Sequence, residues 1–321
     1  MLSIVVPVYN VEKYVAECLE SLLQLDNAEI IVVNDGSSDL SLEVVVDIQQ
    51  RNKNIKVITQ ENAGLSAARN AGLMACTGDY VYFVDSDDIV NTLGVGEAYS
   101  YAKQKSLDIT QCHIEVFKDG VFNDRHLFRD VRYRKNAEIL NGAKYFKKYV
   151  RSGEFPIPVV SNIYKRKYLL EHDLFFLKDV IHEDIEWVPR VFSMAGDVAF
   201  LNKTICYYRI REGSITNEQM LSKGSRSLDS LLIILARYVD DGFIRKYFKD
   251  KKRIHRMWVA KIYLDILKEI KRQQVNNHID KDKIKTLKIL ALQGLGLSYY
   301  SPRLIKKRSR KLLLGSKIPS T

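Results

Sequence analysis

Between residues 2 and 84 the chain switches repeatedly between short apolar runs and stretches with helical spacing, and this alternation limits the fold more than any other feature. Leu2–Val8, Glu29–Val33, Ile55–Thr59 and Asp79–Val84 read as strands, with Val11–Leu25, Leu40–Arg51 and Leu65–Cys76 as the helices between them. Continuous β-branched and aromatic runs suit strands buried on both faces, and strands joined through helices pair in parallel. The expected fold is α/β, a mostly parallel central sheet flanked by helices. Beyond residue 93 the pattern loosens. A strand is expected within Ser106–Phe117, a helix over Tyr145–Tyr149, a rigid extended link at Pro156-Ile157-Pro158 and a strand over Val198–Ile210. After Asn217 the spacing turns helical, over Leu228–Val239, Ile244–Lys271 and Ile284–Leu297.

Charge divides the chain at about the same place. Residues 1–220 carry 25 Lys/Arg and 31 Asp/Glu, a balance of −6, whereas residues 221–321 carry 25 and 8, a balance of +17. The overall +11 therefore belongs to the last third, which is expected to have its own task or partner. The division expected is 1–218, with halves 1–92 and 93–218, followed by a helical basic region over 219–321. Cys18, Cys76, Cys112 and Cys206 are scattered, without C-x-x-C pairs, which argues against a zinc site or a disulfide framework and suits a reducing compartment. Neither a signal peptide nor an uninterrupted apolar run of spanning length is visible, so the chain reads as soluble or peripheral.

In open α/β sheets ligands bind beyond the carboxyl ends of the strands, so the loops there carry the functional reading. Pro7-Val8-Tyr9-Asn10 closes the first strand, Asn34-Asp35-Gly36-Ser37-Ser38-Asp39 the second, Asn62-Ala63-Gly64 the third and Asp85-Ser86-Asp87-Asp88 the fourth. Carboxylates this close repel one another unless a cation compensates them, and hard divalent cations with phosphate-bearing ligands are the usual solution. Tyr9 offers a stacking face for a base, and Asp35 can accept a base N–H. There is no G-x-G-x-x-G and no G-x-x-x-x-G-K-[ST], which argues against dinucleotide oxidoreductases and P-loop NTPases. Tyr9 also reads as a core residue, and Arg69 as a structural helix residue paired with Asp79 or Glu61.

Together with Asn62-x-Gly64-x-x-x-Ala68-Arg69-Asn70, these four loops resemble the signature set of family 2 glycosyltransferases of the GT-A fold, strongly over residues 2 to about 90 and more weakly to about 215. The resemblance implies a nucleoside-diphosphate sugar donor, most often UDP-linked. It implies that Pro7 and Tyr9 flank the uracil, that Asp35 reads its N3 hydrogen, and that Arg69 reaches the base or supports its loop. It places Asp85 and Ser86 at the nucleotide and gives Asp87, with Asp85, the Mn²⁺ or Mg²⁺ that bridges the diphosphate.

His182-Glu183-Asp184-Ile185-Glu186-Trp187 resembles the family's Glu-Asp motif, which implies Asp184 as the catalytic base and Glu183 beside a reacting hydroxyl. Trp187 would pack beneath the site or against a sugar ring, and Asn62 and His182 complete the acceptor or sugar set. The same run also reads as an acidic first turn of a helix, and His182 equally as a surface residue. Tyr207-Tyr208-Arg209-Ile210-Arg211-Glu212-Gly213-Ser214-Ile215 resembles the segment that closes over the donor diphosphate, with Arg209, then Arg211, and Ser214 as its ligands. The Gln-x-x-Arg-Trp motif of processive relatives is replaced by Pro189-Arg190-Val191-Phe192, which favours addition of single sugars.

The basic runs 251–256 and 303–311, interleaved with Trp258, Tyr263 and leucines, suit an anionic membrane surface and a lipid-diphosphate-linked glycan acceptor, or else a solvated helical cap. No groove-reading motif points to nucleic acid. The expectation is a metal-dependent, inverting transferase on the cytoplasmic membrane face, building surface polysaccharide. The alternatives are a nucleotidyltransferase acting on sugar phosphates and a non-catalytic nucleotide-sugar-binding protein.

Overall fold

The computed structural model describes residues 1–118, 121–122, 138–152, 155, 157–211, 224–248 and 251–274. The chain forms two compact units, Met1–Lys178 with Arg190–Arg211, and Asp179–Pro189 with Glu212–Thr321. The division is thus not a single cut, and the boundary expected after residue 218 falls outside the described residues. Among the described residues, no helix is long and apolar enough to cross a membrane. All four cysteines are free and buried.

In the first unit the opening elements are β1 (Leu2–Val8), α1 (Val15–Leu22), β2 (Ala28–Asn34), α2 (Ser41–Arg51), β3 (Ile55–Thr59), α3 (Leu65–Ala75) and β4 (Tyr80–Phe83). They are followed by β5 (Ile89–Val90), α4 (Thr92–Gln104), β6 (Ile109–Lys118), β7 (Val121–Phe122), β8 (Leu140–Asn141), α5 (Gly142–Ser152), β9 (Asn162–Lys165) and α6 (Arg166–Glu171). Helix α7 (Glu183–Met194), whose residues up to Pro189 belong to the second unit, and β10 (Asp197–Ile210) come next. The sheet runs β3-β2-β1-β4-β9-β6-β10-β5, with β7 on β6 and β8 on β10. Its longest ladders, β1/β2 and β6/β10, are parallel.

Burial explains the order. Every residue of β1 and β4 is buried, as central parallel strands require. Val15, Cys18, Leu19 and Leu22 of α1, with Val45 and Ile48 of α2, join Ile4, Val6, Val8, Ile30 and Val32 in one core. Each such aliphatic side chain contributes about 1.5–3 kcal/mol of transfer free energy. The helix expected from Val11 begins only at Val15. Before it, the N–H of Val11 donates to Ser41 Oγ at 2.8 Å and that of Glu12 to Asp39 at 3.0 Å, tying the segment to the next loop.

Pro7 sits inside a central strand, where a missing N–H would normally break a ladder. The N–H of Leu2 donates to Asn27 and the carbonyl of Val8 accepts from Asp35, so even-numbered residues of β1 bond towards β2. Pro7 therefore points its absent donor towards β4, whose pairing with β1 has already ended at Val5/Phe83. The proline costs nothing there and marks where β1 and β4 separate.

At the amino ends of the strands Glu29, 5% exposed, stitches four segments together. It accepts from Ser3 Oγ at 2.6 Å, Thr77 N at 2.6 Å, Gly78 N at 3.1 Å and Lys56 Nζ at 3.0 Å. Burial alone would raise its pKa, but the bonds from Ser3, Thr77 and Lys56 hold it down to about 2. A depressed carboxylate adds stability that is complete above its ordinary pKa and fades as pH falls towards the lowered one, here on the order of 3 kcal/mol. Glu29→Gln is expected to be less stable than the parent at neutral pH and to lose that handicap between about pH 5 and pH 2, measured by denaturant melts. A gap that stays constant over that range would refute the account.

The second unit contributes α8 (Gly224–Tyr238), α9 (Asp241–Phe248) and α10 (Lys252–Gln274). One helix was expected over 244–271, but α9 ends at Phe248 and α10 starts at Lys252. Phe243 and Phe248 pack on Tyr238, with ring centroids at 5.0 and 5.7 Å, and Phe248 on His255 at 5.5 Å. The expected helix at 284–297 and the basic run 303–311 lie outside the described residues.

Candidate active site

The strand order reverses at β1, with β2 on one side and β4 on the other, which makes the carboxyl ends of β1 and β4 a topological switch point. Tyr9 and Asn10 leave β1 there, and Asp85 to Asp88 leave β4. Tyr9 is 50% exposed, so the core reading is excluded and its ring is open for stacking. Pro7 is buried in the strand.

Two loops brace this rim. Ser38 N donates to Asn10 Oδ1 at 2.8 Å, and Asn10 N donates to Ser37 Oγ at 3.3 Å. Gly36 has φ +70, and a Cβ there would stand 2.8 Å from Asn62 N, so both its conformation and its packing call for glycine. Asp35, 3% exposed, accepts from Gln60 Nε2 at 2.7 Å and Ala63 N at 2.9 Å on one oxygen, and from Gly64 N at 2.8 Å on the other. It is first a latch for the Asn62–Gly64 loop, with one acceptor position of Oδ2 left over for a base N–H. Asn62, expected near the acceptor, is exposed within this nucleotide-side loop.

The acidic turn is the electrostatic centre. Asp85 accepts from Arg69 Nη2 at 2.7 Å, and Arg69 is 3% exposed, 5.4 Å from the Phe176 ring. Arg69 thus supports the acidic turn and is paired with neither Asp79 nor Glu61. Ser86 is 6% exposed and Asp88 1%. Asp88 accepts from the backbone N–H of Arg209 at 2.9 Å and from the Cys206 thiol at 3.5 Å. Burial, then the neighbouring charge of Asp85, raises the pKa of Asp87; burial, then Asp87 and Asp85, pushes that of Asp88 well up.

Arg209 donates from Nε to the Asp87 carbonyl at 2.8 Å and from Nη2 to Glu17, with its guanidinium 4.5 Å from the Phe117 ring and 5.3 Å from that of Tyr14. Arg211 donates from Nε to Asp87 Oδ2 at 2.6 Å. Ser214 lies outside the described residues. Sequence reasoning gave no role to Glu17, Tyr14, Phe117 or Cys206. The partner of Glu17 is 192 positions away, and nothing local announces it.

Among the described residues no three His, Cys, Asp or Glu side chains converge as a metal cage. A magnesium-type ion needs no such cage, since one or two carboxylates plus substrate phosphates hold it. Asp85 and Asp87, two carboxylates two positions apart in one turn, fit that donor set.

In the second unit His182 has φ +66, a left-handed conformation uncommon for a side-chain-bearing residue, and its Nε2 lies 2.8 Å from Ser227 Oγ. Glu183 and Asp184 open α7, where negative charge is favourable. Asp184 Oδ1 accepts from Ile185 N at 2.8 Å. Two expectations are corrected. Trp187 is 0% exposed, so of its two expected places the one against a sugar ring is excluded, and it packs in the core. Trp258, read as an aromatic membrane contact, is also 0% exposed and donates its indole N–H to the Ile185 carbonyl at 3.0 Å.

Sheet order, switch point and acidic turn together define a GT-A fold. Residues 3–170 match the family described as Glycosyl transferase family 2, and the chain belongs to that family. It is 35% identical over 223 residues to Glycosyltransferase GlyA of Streptococcus pneumoniae serotype 4, covering 67% of this chain and 31% of that protein. The chain thus spans under a third of that relative's length. The structure of S. aureus TarS 1–349 in complex with UDP-GlcNAc shares the fold at a TM-score of 0.61 and 20% identity, covering 98% of this chain and 92% of the other. A mannosyltransferase from Pyrobaculum calidifontis, PcManGT, in complex with GDP-Man and Mn²⁺, does so at 0.57 and 17%, covering 97% and 84%.

Proposed function

We propose that this chain is an inverting, metal-dependent glycosyltransferase that moves single sugars from a UDP-sugar to a lipid-linked glycan acceptor during surface polysaccharide assembly. One observation carries the reading: the crowded carboxylates Asp85, Asp87 and Asp88 stand at the switch point beside an exposed aromatic, Tyr9. The nucleotide sugars held by TarS and PcManGT support a donor of this class.

In the proposed mechanism Tyr9 stacks on the uracil and the remaining Oδ2 acceptor of Asp35 takes its N3–H. Asp87, with Asp85, would hold Mn²⁺ or Mg²⁺, which supplies positive charge to the departing diphosphate. Arg211 and Ser214 add donors to the same oxygens. Asp184, by resemblance of its motif, takes the proton of the acceptor hydroxyl as that oxygen bonds to the anomeric carbon, and Glu183 positions the hydroxyl. The carbon–oxygen bond to UDP breaks on the opposite face, and its electron pair leaves with UDP. His182, held by Ser227, is assigned to the acceptor side.

Addition of single sugars is proposed from the motif Pro189-Arg190-Val191-Phe192, in which Arg190 is 1% exposed and donates to the Phe175 carbonyl at 2.6 Å. Release of UDP from a panel of UDP-sugars, with Mn²⁺ and with excess EDTA, tests the proposal. Turnover of GDP-sugars alone would overturn the UDP assignment, and full turnover in EDTA would overturn metal dependence.

We also propose that the protein works at the cytoplasmic membrane face through the basic region 221–321, whose balance is +17. On α10 the exposed Leu264 (56%) and Leu267 (38%), not Trp258, are the apolar contacts that such binding would use. Sedimentation with anionic vesicles is expected, declining as salt shortens the Debye length below about 10 Å. Equal sedimentation with neutral vesicles, or none with either, would leave only a helical cap.

A further inference from the structure

The two arginines of the closing segment are held differently. Arg209 lies within β10, and its backbone N–H, Nε and Nη2 are all engaged, with Asp88, the Asp87 carbonyl and Glu17. Arg211 lies past Ile210, where the ladder with β6 has ended. Its bond to Asp87 joins side chains that are 18% and 19% exposed. Of the three carboxylates in the turn, Asp85 has the buried Arg69 and Asp88 has the Arg209 N–H and the Cys206 thiol. Asp87 pairs with the arginine beyond the strand's end.

We propose that Arg211 is the resident counter-cation of Asp87, yielding its place to the divalent cation and passing to the donor's diphosphate. This rests on the metal-dependent reading above. A guanidinium at 2.6 Å from Asp87 Oδ2 and a divalent cation on the same carboxylate repel each other, so arrival of the cation weakens the ion pair. Arg211 lies beyond the ladder, and its move would also give up the contact of its guanidinium with the Tyr14 ring, 5.0 Å away. A diphosphate offers it paired oxygens that suit a guanidinium better than a single carboxylate oxygen does. Cation alone must break the ion pair without compensation, whereas cation with diphosphate gives Arg211 a new partner. Metal and nucleotide binding are thereby coupled, each strengthening the other by the same factor.

The test measures Mn²⁺ binding to the full chain, by the paramagnetic resonance signal of the free ion, with and without UDP. Arg211→Gln is expected to bind Mn²⁺ alone about tenfold more tightly than the parent, because no ion pair has to be broken. With UDP present that advantage should disappear or reverse, so the coupling between the two ligands shrinks. Arg209→Gln removes an equal charge but no bond to the carboxylate, and is expected to shift Mn²⁺ affinity by less than about threefold. Unchanged or weaker Mn²⁺ binding by Arg211→Gln overturns the proposal, as does an equal gain in both variants. Should Arg211→Gln fail to fold, Arg211→Lys must show a smaller rise in the same direction. If neither parent nor variants bind Mn²⁺ even with UDP, while UDP still binds, the metal reading falls and this inference with it. If Mn²⁺ binds but is indifferent to Arg211, only the inference falls.

Discussion

Asp184→Asn is expected to slow sugar transfer by roughly 10²–10⁴-fold, the usual worth of a general base, with UDP affinity almost unchanged. The substitution keeps the size of the side chain and an oxygen that can still accept from the Ile185 N–H, so the first turn of α7 should survive. What it removes is the capacity to take a proton. Single-turnover transfer and UDP titration on the same preparation separate the two effects. Near-normal transfer would refute the assignment and direct attention to Glu183. Loss of UDP binding along with transfer would show a structural collapse instead.

A comparable loss is expected from Asp87→Asn, for a different reason. Charge stabilisation by a bound cation supplies several kcal/mol, and each 1.36 kcal/mol is tenfold in rate, so turnover should fall by roughly 10³-fold. Mn²⁺ binding should be lost in parallel. Stability should move the other way. Burial and the charge of Asp85 raise the pKa of Asp87 despite Arg211, so its ionised form is disfavoured in the folded state. A neutral amide is therefore expected to leave the melting temperature the same or higher. A marked drop would mean that the pair with Arg211 outweighs the crowding.

The strands were legible because β-branched runs buried on two faces look alike wherever they occur; β1 was expected and found at Leu2–Val8, buried throughout. The rim loops were legible because glycine, asparagine and aspartate at the ends of such runs have few other uses. Pairings inside the rim were not. Arg69 meets Asp85 from 16 positions away, Arg211 meets Asp87 from 124, and no periodicity reports which guanidinium reaches which carboxylate. Nor could the sequence separate a buried tryptophan from an interfacial one. Both Trp187 and Trp258 stand among charged residues in the sequence, and both are 0% exposed. The boundary between α9 and α10 was hidden because residues 249–251 contain no glycine or proline to announce a break.

The register of β10 against β6 has a consequence of its own. Phe200 lies opposite Gln111 and Arg209 opposite Phe117, so β10 spends three more residues than β6 over that interval, in shifts on either side of Thr204. Side chains alternate faces, and an odd surplus therefore inverts which face the end of the strand shows. The irregularity acts as a parity switch, turning a strand that begins in one phase so that Arg209 and Arg211 leave it in the other. Length changes near residues 201–205 should consequently be tolerated in twos and not in ones. A single deletion would leave the sheet intact and both guanidinium groups on the wrong side of it.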